Sequence, residues 1–376
     1  MYRRALSFSL ASTFLTISPF AKGQEPSVPV TSVPVTLAQT TQIDSLLNRR
    51  YEAIQPGGVV LIMKDGKVIF RKAYGLASVE LEVPMQPDRV FRIGSITKQI
   101  TAAAVLKLAE DGKVDLSAPI SRYLFELPKA WETVTVEQLL NHTAGIPNHT
   151  ETQTYRIRMR EDLSPTQLLE AYVARLPLDF EPGSKYHYSN TGYILLGMLI
   201  EKTSGQTYGD FLHKRLFEPL GLKRLRYGSE TELIPGMVPG YTTGSRPAPY
   251  RSTTQAFASG GLVSTADDLA RWLQFLYGGK VLKHESLARM LTPLRLRDGK
   301  EMGYGFGVGF RPVAGTHLHL AGHAGGVPGY KSWAEADPAT RTIVVILNNT
   351  DVPKGDDAAY GKCIFAILAG LPFQEP

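Results

Sequence analysis

The chain has 376 residues, 43% of them hydrophobic and 20% charged, with a single cysteine. Ordinary apolar content excludes a disordered chain, and the lone Cys363 excludes an intrachain disulfide scaffold. A core of this length is expected to divide between two lobes. The formal charge of +6 falls to about +3 once residues 1–23 are set aside, because they hold Arg3, Arg4 and Lys22 and no acid. The remaining charges are interspersed, so a nucleic-acid partner is not indicated.

Residues 1–23 read as an export signal. Arg3 and Arg4 precede a short apolar stretch from Ala5 to Ile17, and Ala21 and Gly23 offer cleavage before Gln24. The stretch is short of the ~20 apolar residues a bilayer span requires, so membrane contact is expected only through this segment. An uncleaved anchor is the alternative. The protein is expected to be exported, to the periplasm or outside the cell. A repeat follows, Ser27-Val-Pro-Val-Thr31 and Ser32-Val-Pro-Val-Thr36. Its prolines and lack of a periodic apolar face mark residues 24–40 as an extended linker, with one catalytic unit over 41–376.

Within that unit, Val59–Met63 and Val68–Lys72 are β-rich runs around Asp65-Gly66, a strong hairpin signal. Helices are expected from Ile100 to Ala109 and from Tyr193 to Ile200. Two more follow Ser164-Pro165 and Thr265-Ala-Asp-Asp268, where Ser and Thr cap and the acids suit the helix dipole. Ser332–Ala336 and Thr342–Leu347 form a second β pair, and an apolar helix runs from Asp357 to Ala369. The fold class is therefore α+β. An antiparallel sheet built from both chain ends (41–92 and 276–376) is flanked by helices, beside a mainly helical lobe (93–275). The interface between the lobes is where a cleft should lie.

Three motifs carry chemistry. In Ser95-Ile-Thr-Lys98 the i and i+3 side chains share a helix face, placing the Ser95 hydroxyl beside the Lys98 amine. A serine needs a neighbour to take its proton, and a lysine stripped of hydration has a lowered pKa that suits it to the task. The Ser95 backbone N–H, at a helix start, supplies half an oxyanion hole. In Tyr188-Ser-Asn190 the lysine cation is expected to depress the phenol pKa and so prepare Tyr188 as a base toward Ser95. Asn190 suits a substrate amide and could steady Lys98. In His323-Ala-Gly325, within a stretch rich in glycine, a strand edge is expected to meet the substrate. There His323 orients the substrate or its carboxylate, Gly325 lines the edge, and the Gly326 N–H is the second oxyanion donor. The eight histidines form no metal-binding spacing and no nucleotide loop is present, so neither metal nor organic cofactor is expected.

Together these motifs, with Leu139-Leu-Asn-His-Thr-Ala-Gly-Ile146 and Ser259-Gly-Gly-Leu-Val-Ser-Thr265, resemble the serine β-lactamase-related hydrolases over about 42–370. That group contains class C β-lactamases, DD-peptidases and esterases. The resemblance implies a β-lactamase/transpeptidase-like fold and a Ser95 acyl-enzyme. Lys98 and Tyr188 would share base and acid work, Asn190 would position Lys98 and substrate, and His323–Gly325 would line the β edge. Many relatives carry Lys where His323 stands, and neutral histidine offers no permanent cation. This argues against efficient β-lactamase activity and favours a peptidase or amidase for D-Ala or D-amino-acid peptides. An esterase, a weak β-lactamase and a penicillin-acylated sensor that never turns over remain as alternatives.

Four further features are given bland readings. Leu139–Ile146 is taken as a helix end with Gly145 in a turn rather than as part of the cleft wall. Arg156, Arg158 and Arg160, followed by Glu161 and Asp162, are read as a solvated face. The Asn-X-Thr triplets at Asn141, Asn148 and Asn348 are read as coincidence rather than glycosylation sites, and Cys363 as core.

Overall fold

The computed structural model describes residues 35–313 and 316–376. One antiparallel sheet is formed by β1 (Gly58–Lys64), β2 (Lys67–Tyr74), β3 (Gly309–Pro312), β4 (His319–Val327), β5 (Tyr330–Asp337) and β6 (Thr342–Asn348). The spatial order is β3-β4-β5-β6-β1-β2. The two ends of the chain meet where β6 pairs with β1, Gly58 opposite Asn348 and Lys64 opposite Thr342. Asp65 and Gly66 turn the β1–β2 hairpin with φ of 49° and 76°. Two successive positive φ angles give the turn whose twist matches the flanking strands, as Asp-Gly predicts. Every residue of β6 is buried, as a central strand covered on both faces must be.

Seven helices matter to the site and its support: α1 (Leu37–Arg50), α2 (Thr97–Glu110), α3 (Pro165–Tyr172), α4 (Asn190–Ser204), α5 (Thr253–Gly260), α6 (Ala266–Tyr277) and α7 (Asp357–Ala369). On the outer sheet face Val60, Ile62, Val344 and Ile346 pack against Leu47 of α1 and Phe365 of α7. The alternate residues Val59, Leu61, Val345 and Leu347 join the main core with Leu269 and Leu273 of α6. That alternation is the period-2 rule of a strand applied to both faces. Burying each such side chain contributes about 1.5–3 kcal/mol. Ser164 and Thr265 cap α3 and α6 as the sequence suggests.

Two boundaries need correction. The linker expected over 24–40 ends earlier, because Thr36 and Gln39 form a reciprocal capping box that starts α1 at Leu37. The sheet lobe also begins before residue 276, because all of α6 lies against the sheet, with Leu269, Leu273 and Leu276 on its buried face. The expected export segment and most of the Ser-Val-Pro-Val-Thr repeat lie outside the described residues. Among the described residues no helix is long and apolar enough to cross a membrane. Arg158 pairs with Glu161 at the surface, matching the solvated-face reading. Asn141, Asn148, Asn348 and Cys363 are all buried, as a coincidental triplet pattern and a core cysteine require.

Candidate active site

Ser95 occupies a single tight turn, Gly94–Ile96, that leads directly into α2. Gly94 has φ 50°. A Cβ placed on it would lie 2.6 Å from the Gly326 nitrogen, and one on Gly325 would lie 2.0 Å from the Ile93 carbonyl oxygen. The turn therefore presses backbone to backbone on β4, and both glycines are needed for that approach. Ser332 Oγ of β5 donates to the same Ile93 carbonyl at 2.8 Å and fixes the turn from below. β3 pairs with β4 only over His319–Gly322. Among the described residues no strand covers His323–Val327 on that side, so the glycine-rich edge predicted from sequence is present. It borders a cavity of about 530 Å³ lined by Ser95, Tyr188, His323, Gly325 and Gly326.

Lys98 is completely buried. Its Nζ lies 3.2 Å from Ser95 Oγ, 2.8 Å from Asn190 Oδ1 and 2.7 Å from the Ser259 carbonyl. The network fixes which way each amide points. Asn148 Oδ1 accepts from the Asn190 backbone N–H at 3.1 Å, and Asn148 Nδ2 donates to Glu151 at 2.9 Å. Asn190 Nδ2 then donates to Asn148 Oδ1 at 3.3 Å and to Thr150 Oγ1 at 3.0 Å, turning Oδ1 toward Lys98. Burial pushes the Lys98 ammonium well below the usual lysine range, and the Arg251 charge pushes the same way. In its neutral form, which this lowering favours, the amine has two N–H groups and one lone pair. The two carbonyl-type oxygens take the N–H groups, which leaves the lone pair for the Ser95 hydroxyl.

Tyr188 departs from expectation. Burial raises its phenol pKa, a hydrogen bond with Ser95 only partly offsets this, and the Tyr186 phenol adds to the rise. The Lys98 Nζ does lie 4.7 Å from the Tyr188 ring centroid. Burial of the phenol outweighs any pull from Lys98, so the depression predicted from sequence does not arise. Tyr188 keeps its proton and is suited to donate.

His323 also behaves differently from the expected carboxylate guide. Its Nδ1 faces the Ala324 carbonyl at 2.5 Å and its Nε2 faces Tyr304 Oη at 3.0 Å. Tyr304 Oη in turn lies 3.3 Å from His142 Nε2, while His142 Nδ1 accepts from the Ser189 N–H at 3.1 Å. One proton arrangement satisfies the whole chain. His142 Nε2–H donates to Tyr304, Tyr304 O–H donates to His323 Nε2, and His323 Nδ1–H donates to Ala324. Both imidazoles are then neutral, in line with burial that pushes His323 down to about 3 and His142 well below the usual range. His323 lines the cavity, but neither ring nitrogen is free for a substrate carboxylate.

The sequence motifs Ser95, Lys98, Tyr188, Asn190, His323 and Gly325–Gly326 thus converge on one cleft. His142, Asn148, Thr150, the Ser259 carbonyl and Tyr304 were missed as participants. His142 lies in the Leu139–Ile146 segment assigned to a turn. Gly145 does turn there, with φ 71°, but His142 also packs against Tyr188, its ring tilted by 40° with centroids 4.4 Å apart. No group of His, Cys, Asp and Glu among the described residues is arranged to hold a metal ion.

The Beta-lactamase family model matches residues 44–366, and the chain belongs to that family of serine hydrolases. It is 28% identical to Penicillin-binding protein 4* of Bacillus subtilis, over 89% of this chain and 77% of that protein. It is 26% identical to a D-aminopeptidase of Gluconobacter oxydans over 85% of this chain, spanning only 60% of the relative's length. A solved D-stereospecific amidohydrolase from Streptomyces sp. superposes with a TM-score of 0.74 at 27% identity, covering 89% of this chain and 99% of that one.

Proposed function

We propose that the protein hydrolyses amides and peptides of D-amino acids through an acyl-enzyme on Ser95. The observation that carries this reading is the pair of oxygens, Asn190 Oδ1 and Ser259 O, flanking a buried Lys98 amine. They occupy its two N–H groups and turn its lone pair to Ser95. Ser95 Oγ bonds to the substrate carbonyl carbon as its proton passes to Lys98. The oxyanion rests on the N–H groups of Ser95 and Gly326, the latter being the β4 atom nearest the Gly94 turn. As the C–N bond breaks, Tyr188 gives its proton to the departing nitrogen and regains one from the Lys98 ammonium. Water then adds to the acyl carbon, returns a proton to Ser95 and releases the acid.

The D-amino-acid preference rests on the likeness to the D-aminopeptidase and the D-stereospecific amidohydrolase, and on the lack of a cation at His323. The basic start and apolar stretch of residues 1–23 support export and a reaction outside the cytoplasm, which sequencing the mature N-terminus for Gln24 would check. The test of function is intact-mass measurement after exposure to a fluorophosphonate or a penicillin, with turnover of D-alanine p-nitroanilide, p-nitrophenyl butyrate and nitrocefin compared. Labelling should appear on the parent and vanish in Ser95→Ala, and nitrocefin should be the slowest substrate. Equal labelling of Ser95→Ala rejects the nucleophile, and nitrocefin as the fastest substrate rejects the substrate class.

A further inference from the structure

A second, smaller cavity of about 130 Å³ lies beside the site, lined in part by Arg92, Tyr250, Arg251, Pro328 and Tyr330. Pro328 follows β4 directly, and Tyr330 begins β5. The cavity is therefore at the opposite end of the bare β4 edge from His323. Its two arginines are not equivalent. Arg92 is committed, donating to Glu230 at 3.1 Å and to the Arg251 carbonyl at 3.0 Å. The Arg251 guanidinium stands 5.4 Å from the Tyr155 ring centroid. Among the described residues it has no carboxylate partner, and its Nε is shielded from water without a hydrogen-bond acceptor. The Tyr155 ring that it faces packs edge-on against His149 with centroids 5.5 Å apart, and His149 stands between Asn148 and Thr150, the partners of Asn190.

The shielded Nε is a donor left unsatisfied, and the planar guanidinium fork matches a carboxylate. The direction of the substrate follows from the other end of the cleft. Tyr188, the proton donor to the leaving nitrogen, sits with His323, their ring centroids 6.1 Å apart. The leaving half is thus at the His323 end and the acyl half extends toward Pro328. We propose that Arg251 is a specificity-determining residue that binds a carboxylate on the acyl half of the substrate, as in an acidic D-amino-acid amide. The cation that relatives carry where His323 stands has no counterpart there in this chain. Arg251, a cation without a carboxylate partner, lies instead on the acyl side, so the favoured substrate is acidic in its acyl half rather than in its leaving half. This assignment rests on the acyl-enzyme reading of Ser95.

The test compares two p-nitroanilides that differ by one group, D-glutamate and D-glutamine, in the parent, Arg251→Gln and Arg251→Lys. The parent should favour D-glutamate by about tenfold or more in kcat/KM, mostly through KM, as a charge-assisted pair implies. Arg251→Gln should bring the two substrates to parity, and Arg251→Lys should keep an intermediate preference. A parent with no preference, or an Arg251→Gln enzyme that retains it, overturns the proposal. Binding is read apart from turnover by calorimetry on Ser95→Ala, using the α-amides of D-glutamate and D-glutamine. Tighter binding of the glutamate amide, erased by adding Arg251→Gln, supports the assignment. Equal binding of the two amides rejects it. A Ser95→Ala protein that still cleaves the anilides would sink the serine mechanism, leaving the calorimetry to decide Arg251.

Discussion

The Lys98 amine donates to the Ser259 carbonyl at 2.7 Å, so a buried ionisable side chain is anchored by a backbone group that no single substitution removes. Asn190 Oδ1 is its other oxygen partner, and that one is open to mutation. Replacing Asn190 with Asp would set a carboxylate against the amine and favour the ammonium. An ammonium has no lone pair for Ser95. In the parent, kcat/KM should fall as pH drops through the lowered Lys98 pKa. In Asn190→Asp that acid limb should move to higher pH, and the rate at pH 7 should fall by about a hundredfold. A pH–rate profile with an unmoved limb would contradict Lys98 as the base.

Tyr188→Phe keeps the ring and removes only the proton. An amide leaving group must be protonated, whereas p-nitrophenolate leaves unaided. Turnover of D-alanine p-nitroanilide should drop by about a hundredfold or more, and that of p-nitrophenyl butyrate by far less. Equal losses on both substrates would instead point to a role in Ser95 activation.

Three buried histidines make folding sensitive to acid. His149 and His323 are each lowered from 6.5 to about 3 by burial, and His142 lies well below its usual value. Between about 6.5 and 3 the unfolded chain binds protons that the folded chain does not, so stability falls as pH falls. Each such proton contributes a slope of about 1.4 kcal/mol per pH unit at full effect. Urea unfolding at pH 6.5, 5.75 and 5, above most carboxylate titration, should show the decline. His149→Asn should reduce the slope by about one proton's worth, and a flat parent profile would refute the neutral assignment.

Gly325→Ala would place a methyl group 2.0 Å from the Ile93 carbonyl and 2.3 Å from Ser332 Oγ. Overpacking of this kind costs about 1–3 kcal/mol, and here it would lift the Ser95 turn off β4. Gly326→Ala meets only the end of Lys331, at 3.4 Å, and should leave stability nearly unchanged. Thermal melts of the two variants, with fluorophosphonate labelling of the first, give the comparison. A Gly325→Ala protein as stable and as readily labelled as the parent would refute the close approach.

Much of the architecture was legible because its signals are local. Asp65-Gly66 dictates its hairpin, Ser164 and Thr265 cap the helices they precede, and Ser95 and Lys98 lie one helical turn apart. Motif order then brought Tyr188, Asn190 and His323 to the same cleft. What escaped depends on contacts between distant segments. The Tyr304 hydroxyl matters only because folding sets it between His142, 162 residues away in sequence, and His323. The role of Asn148, read from sequence only as a coincidental Asn-X-Thr triplet, comes from the Asn190 N–H that its side chain accepts across 42 residues. The raised Tyr188 pKa comes from burial of the phenol itself, which tertiary packing sets and no local signal announces. The lobe boundary was misplaced because an amphipathic helix such as α6 does not say which lobe it covers.

Gly94 meets Gly325 and Gly326 through main chain, with the small Ser332 side chain bonded to the same turn. Side-chain variation therefore has little to act on at the point where nucleophile and substrate strand meet, and mutation there is nearly all loss. Divergence toward new substrates must run instead through the surrounding rim, at positions such as Arg251 that line the neighbouring cavity. In engineering terms, the centre is a fixed chassis and the rim is the library.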